Sequence, residues 1–193
     1  MLTLATLRRG ALPCAVFLAA CCLFAAANDK EPAPRFTALT TTGEKFDNAS
    51  VKGKVVLLEF WATWCGYCAN EANFVDKIGQ ELAPKGLILL AIDVGESKKT
   101  VKKYLEQHPR NCKIVLMEDT NLAAMYAATA YPIYVVIDRD GNIAGTQRGA
   151  GGEGALRRLI ARAGIGSPDD DSESDSSSVN GFSVPAVQLV PAS

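Results

Sequence analysis

The chain has 193 residues, 48% of them hydrophobic, and its formal net charge at pH 7 is −1. This apolar fraction is enough for one sizeable core, so the length predicts one domain with appendages. The balanced charge, without a Lys/Arg cluster interleaved with aromatic residues, argues against nucleic-acid binding.

Residues 1–27 predict an export signal. Basic residues precede an apolar run over residues 11–27 that ends in small side chains. Residues 18–21, Leu-Ala-Ala-Cys, resemble a bacterial lipobox, which would leave Cys21 as a lipidated N-terminus. The alanines at 25–27 instead fit a cleavage site that releases a soluble protein, and an uncleaved anchor is the third alternative. All three place the domain in the cell envelope, on the periplasmic side, where disulfides persist.

The segment after the signal leads from a linker into the sheet. Residues 28–35 are polar and contain two prolines, which predicts a linker. Residues 36–39 and 44–46, separated by Thr-Thr-Thr-Gly, predict a short hairpin. Residues 55–60 form an apolar run rich in strand-forming residues, broken by one acid, which predicts a strand buried on both faces.

That strand runs directly towards Cys65 and Cys68. Residues 70–82 carry apolar side chains at helical spacing, so Cys65 is expected at the start of a helix. Unpaired N–H groups and the positive end of the helix dipole favour the thiolate there, which lowers the pKa of this cysteine and makes it a nucleophile. Of the six cysteines, only these two and Cys112 belong to the domain. One pair and one unpaired cysteine fit a redox-active dithiol better than a framework of structural disulfides.

Two acids accompany the dithiol. Glu59 interrupts the apolar strand, where burial should raise its pKa, and we expect it to take the proton of Cys68 during attack on a mixed disulfide. Glu71 follows Cys68 by one helical turn. It either faces the second sulfur in a functional role or is an ordinary carboxylate of the helix surface.

Residues 59–68, Glu-Phe-Trp-Ala-Thr-Trp-Cys-Gly-Tyr-Cys, resemble the active-site signature of the thioredoxin superfamily. The Cys-x-x-Cys-x-x-Glu form and the lead-in over residues 36–56 are similar to the TlpA/ResA branch of thiol-disulfide oxidoreductases, and the likeness covers residues 33–164. It implies an α/β, thioredoxin-like fold: a central mixed β-sheet flanked by helices, with an N-terminal hairpin and a central strand-helix insertion. The predicted domain is 36–164.

The remaining elements fit that fold. Residues 95–130 have the content expected of the central insertion in the resembled branch. Residues 165–193 are first acidic and Ser-rich and then broken by prolines, and we expect a disordered tail. The predicted elements between 87 and 163 are strands at 87–94, 113–117, 133–137 and 143–148, and helices at 96–108, from Asp119 or Thr120 to 128, and at 153–163.

Tyr131 and Pro132 immediately precede the predicted strand at 133–137. A trans edge proline is the plain interpretation. The resemblance implies instead a cis bond beside the dithiol, with the backbone of Tyr131 pairing with an extended substrate segment. It also implies that Trp64, Gly66 and Tyr67 belong to the substrate-binding surface.

Other chemistry for the cysteine pair is disfavoured. Zinc sites usually need four ligands, and besides the pair itself the domain offers only Cys112 and His108, neither of them close in sequence. Haem attachment would need a His directly after Cys68, where Ala69 stands. The resemblance implies a reductase of protein disulfides, including apocytochromes in cytochrome c biogenesis, re-reduced by a membrane electron donor. The redox-active disulfide Cys65/Cys68 then needs no metal or organic cofactor. Disulfide isomerase or oxidase activity, and a non-catalytic binding module with a permanently closed disulfide, stay open.

Overall fold

The computed structural model describes residues 30–166. The predicted export signal, the alternatives at Cys21 and residues 167–193 of the predicted tail lie outside the described residues. Within residues 30–166, no helix is both long and apolar enough to cross a bilayer.

Strands and helices occur in the predicted order. The strands are β1 Thr37–Thr40, β2 Lys45–Asp47, β3 Val55–Trp61, β4 Leu87–Asp93, β5 Lys113–Thr120, β6 Ile133–Ile137 and β7 Ile143–Arg148. The helices are α1 Gly66–Leu82, α2 Lys98–Gln107, α3 Leu122–Met125 and α4 Gly152–Ala161.

All strands join one sheet in the order β2-β1-β5-β4-β3-β6-β7. Strand β3 is central, parallel to β4 and antiparallel to β6, and each of its residues is buried. A strand that is apolar except for Glu59 suits this position because both faces of an interior strand are covered. The predicted mixed sheet flanked by helices is therefore confirmed.

The two faces of β3 pack in different cores. Val55 and Leu57 lie in a cluster with α1 and α4, whereas Val56, Leu58 and Phe60 lie on the opposite face with β1 and α3. Since side chains alternate along a strand, Trp61 at the end of β3 faces the α1 side. The loop over residues 62–65, here called the dithiol loop, thus begins on the face covered by α1 and α4, at the carboxyl end of the parallel strands.

The predicted ends of the domain need correction. In the predicted linker, the N–H of Ala33 donates to Gly141 O at 2.9 Å and Glu31 O accepts from Ile143 N at 2.8 Å. At the other end, Ile165 is 2% exposed and packs against the α1–α4 core, so the predicted tail starts too early. In both cases a few residues beside the domain find backbone partners or apolar contacts.

The predicted helix over 120–128 is shorter than expected. Strand β5 extends to Thr120, α3 spans only Leu122–Met125, and Ala127 has a φ of +46°. The side chain of Asn121 does not cap α3; instead its Oδ1 accepts from Thr37 N at 3.2 Å and its Nδ2 donates to Arg35 O at 3.0 Å. Pairing with the N-terminal segment therefore replaces a longer helix.

Candidate active site

The cysteine pair forms a disulfide at the N-terminus of α1. The bond length between Cys65 Sγ and Cys68 Sγ is 2.06 Å, and the side chains are nearly inaccessible, at 6% and 2% exposed. Cys65 is the N-cap of α1, and its Sγ accepts from the N–H of Cys68 at 3.1 Å. An N–H group at a helix start stabilises negative charge on this sulfur once the bond is reduced.

The disulfide packs in a small apolar cluster, here called the dithiol cluster. Its buried members come from β3, β4, β5, α1, α2 and the dithiol loop: Trp61, Ala62, Cys65, Cys68, Ala91, Val101, Ile114 and Leu116. Because these elements surround the sulfurs, the position of each cysteine is set by the core.

Aromatic side chains border the disulfide on its outer side. Trp64 and Tyr67 are 69% and 71% exposed, although large aromatic side chains are usually buried. The ring of Tyr131 meets that of Trp64 edge to face, with centroids 5.7 Å apart. The Tyr131-Pro132 bond is cis, as the resemblance implies. The chain thus presents an exposed aromatic surface next to a buried disulfide.

Glu59 lies in a buried ion cluster. Its side chain is fully buried, and its Oε2 accepts from Arg110 Nη2 at 2.8 Å. Arg110 also binds Asp76, with Nη2 and Nε at 2.8 and 2.9 Å from Oδ1, while Asp76 Oδ2 accepts from Asn111 N. Burial raises the pKa of Glu59, and the positive charge of Arg110 opposes that shift in part. Glu59 Oε1 is buried without a hydrogen-bond partner.

The side chain of Glu71 is buried and binds the N-terminus of the last helix, α4. Its Oε2 accepts from the phenol of Tyr134 at 2.8 Å, and its Oε1 accepts from the N–H groups of Gly151 and Gly152 at 3.1 and 2.7 Å. These N–H groups begin α4, whose N-cap is a glycine without a side chain to accept them. Glu71 therefore caps α4 from α1, and the alternative of a surface carboxylate is wrong because only 5% of Glu71 is exposed.

A further pair of acids lies at the end of β4. Asp93 is fully buried and neither carboxyl oxygen has a hydrogen-bond partner. Glu96 follows in the next loop and binds Thr63, accepting from its N–H at 2.6 Å and its Oγ1 at 2.5 Å. Burial, together with the neighbouring carboxyl of Glu96, raises the pKa of Asp93 to about 7. The loop after β4 is thus bonded to the segment that carries Cys65.

A cavity of about 290 Å³ reaches Cys68 between α1 and α2, with Asn73, His108 and Arg110 in its wall. His108 is exposed, and Cys112 is a half-buried free thiol whose pKa is raised by burial. Within the described part of the chain, no group of three or more His, Cys, Asp or Glu residues is arranged to hold a metal ion.

Comparison with known proteins identifies the family. The Redoxin family profile matches residues 26–160, more than half of the chain. The chain belongs to the Redoxin family.

This Redoxin-family chain is similar to several curated proteins. It is 29% identical over 111 residues to thiol-disulfide oxidoreductase ResA of Bacillus cereus, which covers 58% of this chain and 64% of that protein, less than two thirds of its length. It is 34% identical over 116 residues to the thioredoxin-like protein YneN of Bacillus subtilis, covering 58% and 67%.

The fold also agrees with solved structures. A thiol:disulfide interchange protein of the thioredoxin family from Chlorobium tepidum superposes with a TM-score of 0.62 at 28% identity, covering 72% of this chain and 99% of that one. StoA from Bacillus subtilis, at 20% identity and a TM-score of 0.57, shows the fold alone. The predicted thioredoxin-like fold and the likeness to ResA are confirmed.

Sequence analysis missed Arg110, Asp76, Asp93 and Glu96 in this Redoxin site. Asp93 carried a signal like that of Glu59, a charge within an apolar run that was predicted to be a strand. Arg110 carried no local signal, because its contact with Glu59 joins residues 51 positions apart. The predicted residues Cys65, Cys68, Trp64 and Tyr131 do come together, and their roles stay predictions.

Replacing Glu71 by alanine is expected to lower the free energy of unfolding by about 2–3 kcal/mol, since the buried phenol of Tyr134 and two N–H groups lose their acceptor. Glu153→Ala is the matched control, because Glu153 lies in the first turn of α4 but forms a half-exposed ion pair with Arg157. Such pairs contribute about 0–1 kcal/mol. Equal losses for both variants in urea unfolding would contradict the capping role of Glu71.

Proposed function

We propose that this Redoxin-family chain is an extracytoplasmic thiol-disulfide oxidoreductase that reduces protein disulfides through Cys65 and Cys68. The observation that carries the proposal is the Cys65–Cys68 disulfide at the N-terminus of α1, beside the cis Tyr131-Pro132 bond. Similarity to proteins named thiol-disulfide oxidoreductase supports this reaction class.

The first step begins from the dithiol. The thiolate of Cys65 attacks one sulfur of a substrate disulfide, so a bond forms between Cys65 and that sulfur while the substrate's own bond breaks. The other substrate sulfur leaves with the electron pair and takes up a proton. The N–H of Cys68, which faces Cys65 Sγ, supports the attacking thiolate.

The second step closes the disulfide. Cys68 loses its proton and attacks the sulfur of Cys65, which forms the Cys65–Cys68 bond and releases the second substrate sulfur as a thiol. Glu59 is the proposed proton acceptor, because its Oε1 is a buried acceptor without a partner. Glu71 already accepts hydrogen bonds at both oxygens, which favours a positioning role for it over proton transfer.

The exposed aromatic surface is the proposed substrate site. Trp64 and Tyr67 offer apolar contact, and the exposed Gly66 leaves open space between the cysteines. An extended substrate segment is proposed to pair with the backbone of Tyr131, next to Pro132. Aromatic side chains suit such a surface because they contribute large contact areas at low entropic cost.

Re-reduction completes the proposed cycle. A membrane electron donor returns two electrons to the disulfide, and the sulfurs carry them without a metal or organic cofactor. The predicted signal supports a location on the periplasmic side, either soluble or anchored by lipid at Cys21. Envelope proteins with disulfides, including apocytochromes, are the proposed substrates.

Replacing Cys65 by serine is expected to abolish insulin reduction, because the attacking sulfur is lost. Cys68→Ser should instead accumulate a mixed disulfide with substrate, since the first step proceeds and the second cannot. Mass spectrometry of the trapped species measures this, and Cys112→Ser is the control expected to keep full activity. A chain that serves only as a binding module would reduce no insulin, and its disulfide would stay closed in mild reductant.

Replacing Glu59 by glutamine is expected to slow closure of the disulfide about 100-fold, because the amide cannot take the proton of Cys68. Its oxygen can still accept a hydrogen bond from Arg110. Burial raises the pKa of Glu59, so the wild-type closure rate should fall as the pH is lowered, with a midpoint above the usual range of carboxyl groups. The closure rate of the variant should not show this decrease. Single-turnover fluorescence measures both rates. Asp76→Asn is the control, because it contacts the same guanidinium. Equal slowing in both variants would mean that Glu59 only holds Arg110.

The direction of the reaction follows from the redox potential. Equilibration with glutathione is expected to give a value nearer the about −270 mV of a thioredoxin-type reductant than the about −120 mV of a strong oxidant. A value near the oxidant limit would favour the alternative of a disulfide oxidase, and an intermediate one an isomerase.

A further inference from the structure

Asp93 occupies the dithiol side of the sheet. It is the last residue of β4, and its neighbours across the sheet are Trp61 on β3 and Leu116 on β5. Residues opposite one another on paired strands point to the same face. Because Trp61 and Leu116 both belong to the dithiol cluster, the Asp93 side chain faces that cluster as well.

Asp93 differs from the other buried acids because its polar neighbour is another acid, Glu96, and its hydrogen bonds are poor. Among the described residues, the buried acids Glu59, Glu71, Asp76 and Asp138 each accept at least one hydrogen bond. Both oxygens of Asp93 lack a hydrogen bond of good geometry, and only the backbone and carboxyl of Glu96 interact with them more loosely. The indole Nε1 of Trp61, on the residue directly opposite, is also buried without an acceptor. A buried carboxyl without a donor favours its neutral form.

Few of the groups that face Asp93 carry charge. Trp61 and Leu116 do not titrate, and Glu96 adds negative charge. Burial and the charge of Asp93 raise the pKa of Tyr131, whose ring contacts Trp64. Tyr104 contacts Trp61 from α2, with ring centroids 5.8 Å apart.

We propose that Asp93 is a second acid–base group of the site, taking up a proton when the Cys65–Cys68 disulfide is reduced. The proposal rests on the thiol-disulfide exchange proposed above. A dithiol reductant supplies two electrons and becomes a disulfide; the Cys65–Cys68 bond breaks, Cys68 takes one proton, and Cys65 becomes a thiolate. The new negative charge on Cys65 makes the Asp93 carboxylate bind a proton from solvent. Reduction by two electrons is then accompanied by the uptake of two protons, one on Cys68 and one on Asp93.

Glu96 links this group to the nucleophile. Both of its oxygens bind Thr63, two residues before Cys65, so the loop after β4 and the dithiol loop move together. Glu96 acts as a positioning residue, and its carboxylate also favours the protonated form of Asp93.

The test compares wild type with Asp93→Asn, which keeps the size of the side chain and cannot ionise. Equilibrium constants for reduction are measured in glutathione mixtures between pH 5.5 and 8.5. At pH 5.5 the two proteins should agree, because Asp93 is neutral. At pH 8.5 the variant should be reduced about tenfold more favourably, since it lacks a carboxylate that opposes the thiolate. Asp138→Asn, a buried acid in the turn after β6, is the control expected to follow wild type.

A second measurement does not depend on a variant or on turnover. Carbon NMR of the Asp93 carboxyl in the disulfide form should show a midpoint near pH 7, which moves upwards in the dithiol form. An ordinary acidic midpoint, or one unchanged by reduction, would overturn the proposal. So would a ratio of equilibrium constants that does not vary with pH. If the chain reduces no insulin while the midpoint still moves, the proposed function fails and the coupling stands.

Discussion

A buried guanidinium, that of Arg110, holds together the acidic floor of the dithiol site. It joins Glu59 on β3 to Asp76 on α1, and it lies 5.6 Å from the centre of the Trp61 ring. Two carboxylates this deep in a core would be costly to ionise without a cation, and removing one partner of such a cluster typically costs several kcal/mol. The strand before the dithiol and the helix after it are therefore fixed to one another by charge as well as by apolar contact.

Two carboxyls beside the same disulfide consequently meet different environments. Glu59 has a cation at 2.8 Å from one oxygen and no hydrogen-bond partner at the other, whereas Asp93 has no cation and a second acid nearby. Differences of this kind separate the protonation behaviour of paired acids in enzymes. Within one small domain, the core thus gives different surroundings to the acid proposed to exchange a proton with Cys68 and to the acid proposed to respond to the charge on Cys65.

The sequence predicted those parts of the molecule that depend on local pattern. The apolar run of β3 and the helical spacing after Cys68 were enough to place Cys65 at the start of α1. The cis bond before Pro132 came from family resemblance, because single-sequence patterns do not distinguish the two isomers. The Arg110 cluster could not be predicted, since its partners lie far apart in the chain. Asn121 likewise delays the start of a predicted helix through contacts with distant residues of the N-terminal segment.

The backbone bonds of Glu31 and Ala33 to the turn after β6 have a geometric consequence. Because β6 runs antiparallel to β3, this turn lies at the edge of the sheet where β3 begins, while the disulfide follows the end of β3. Seven residues of extended strand separate these edges by roughly 20 Å. Glu31 and Ala33 are therefore held about the length of one strand away from the reactive sulfurs, at the opposite edge of the sheet.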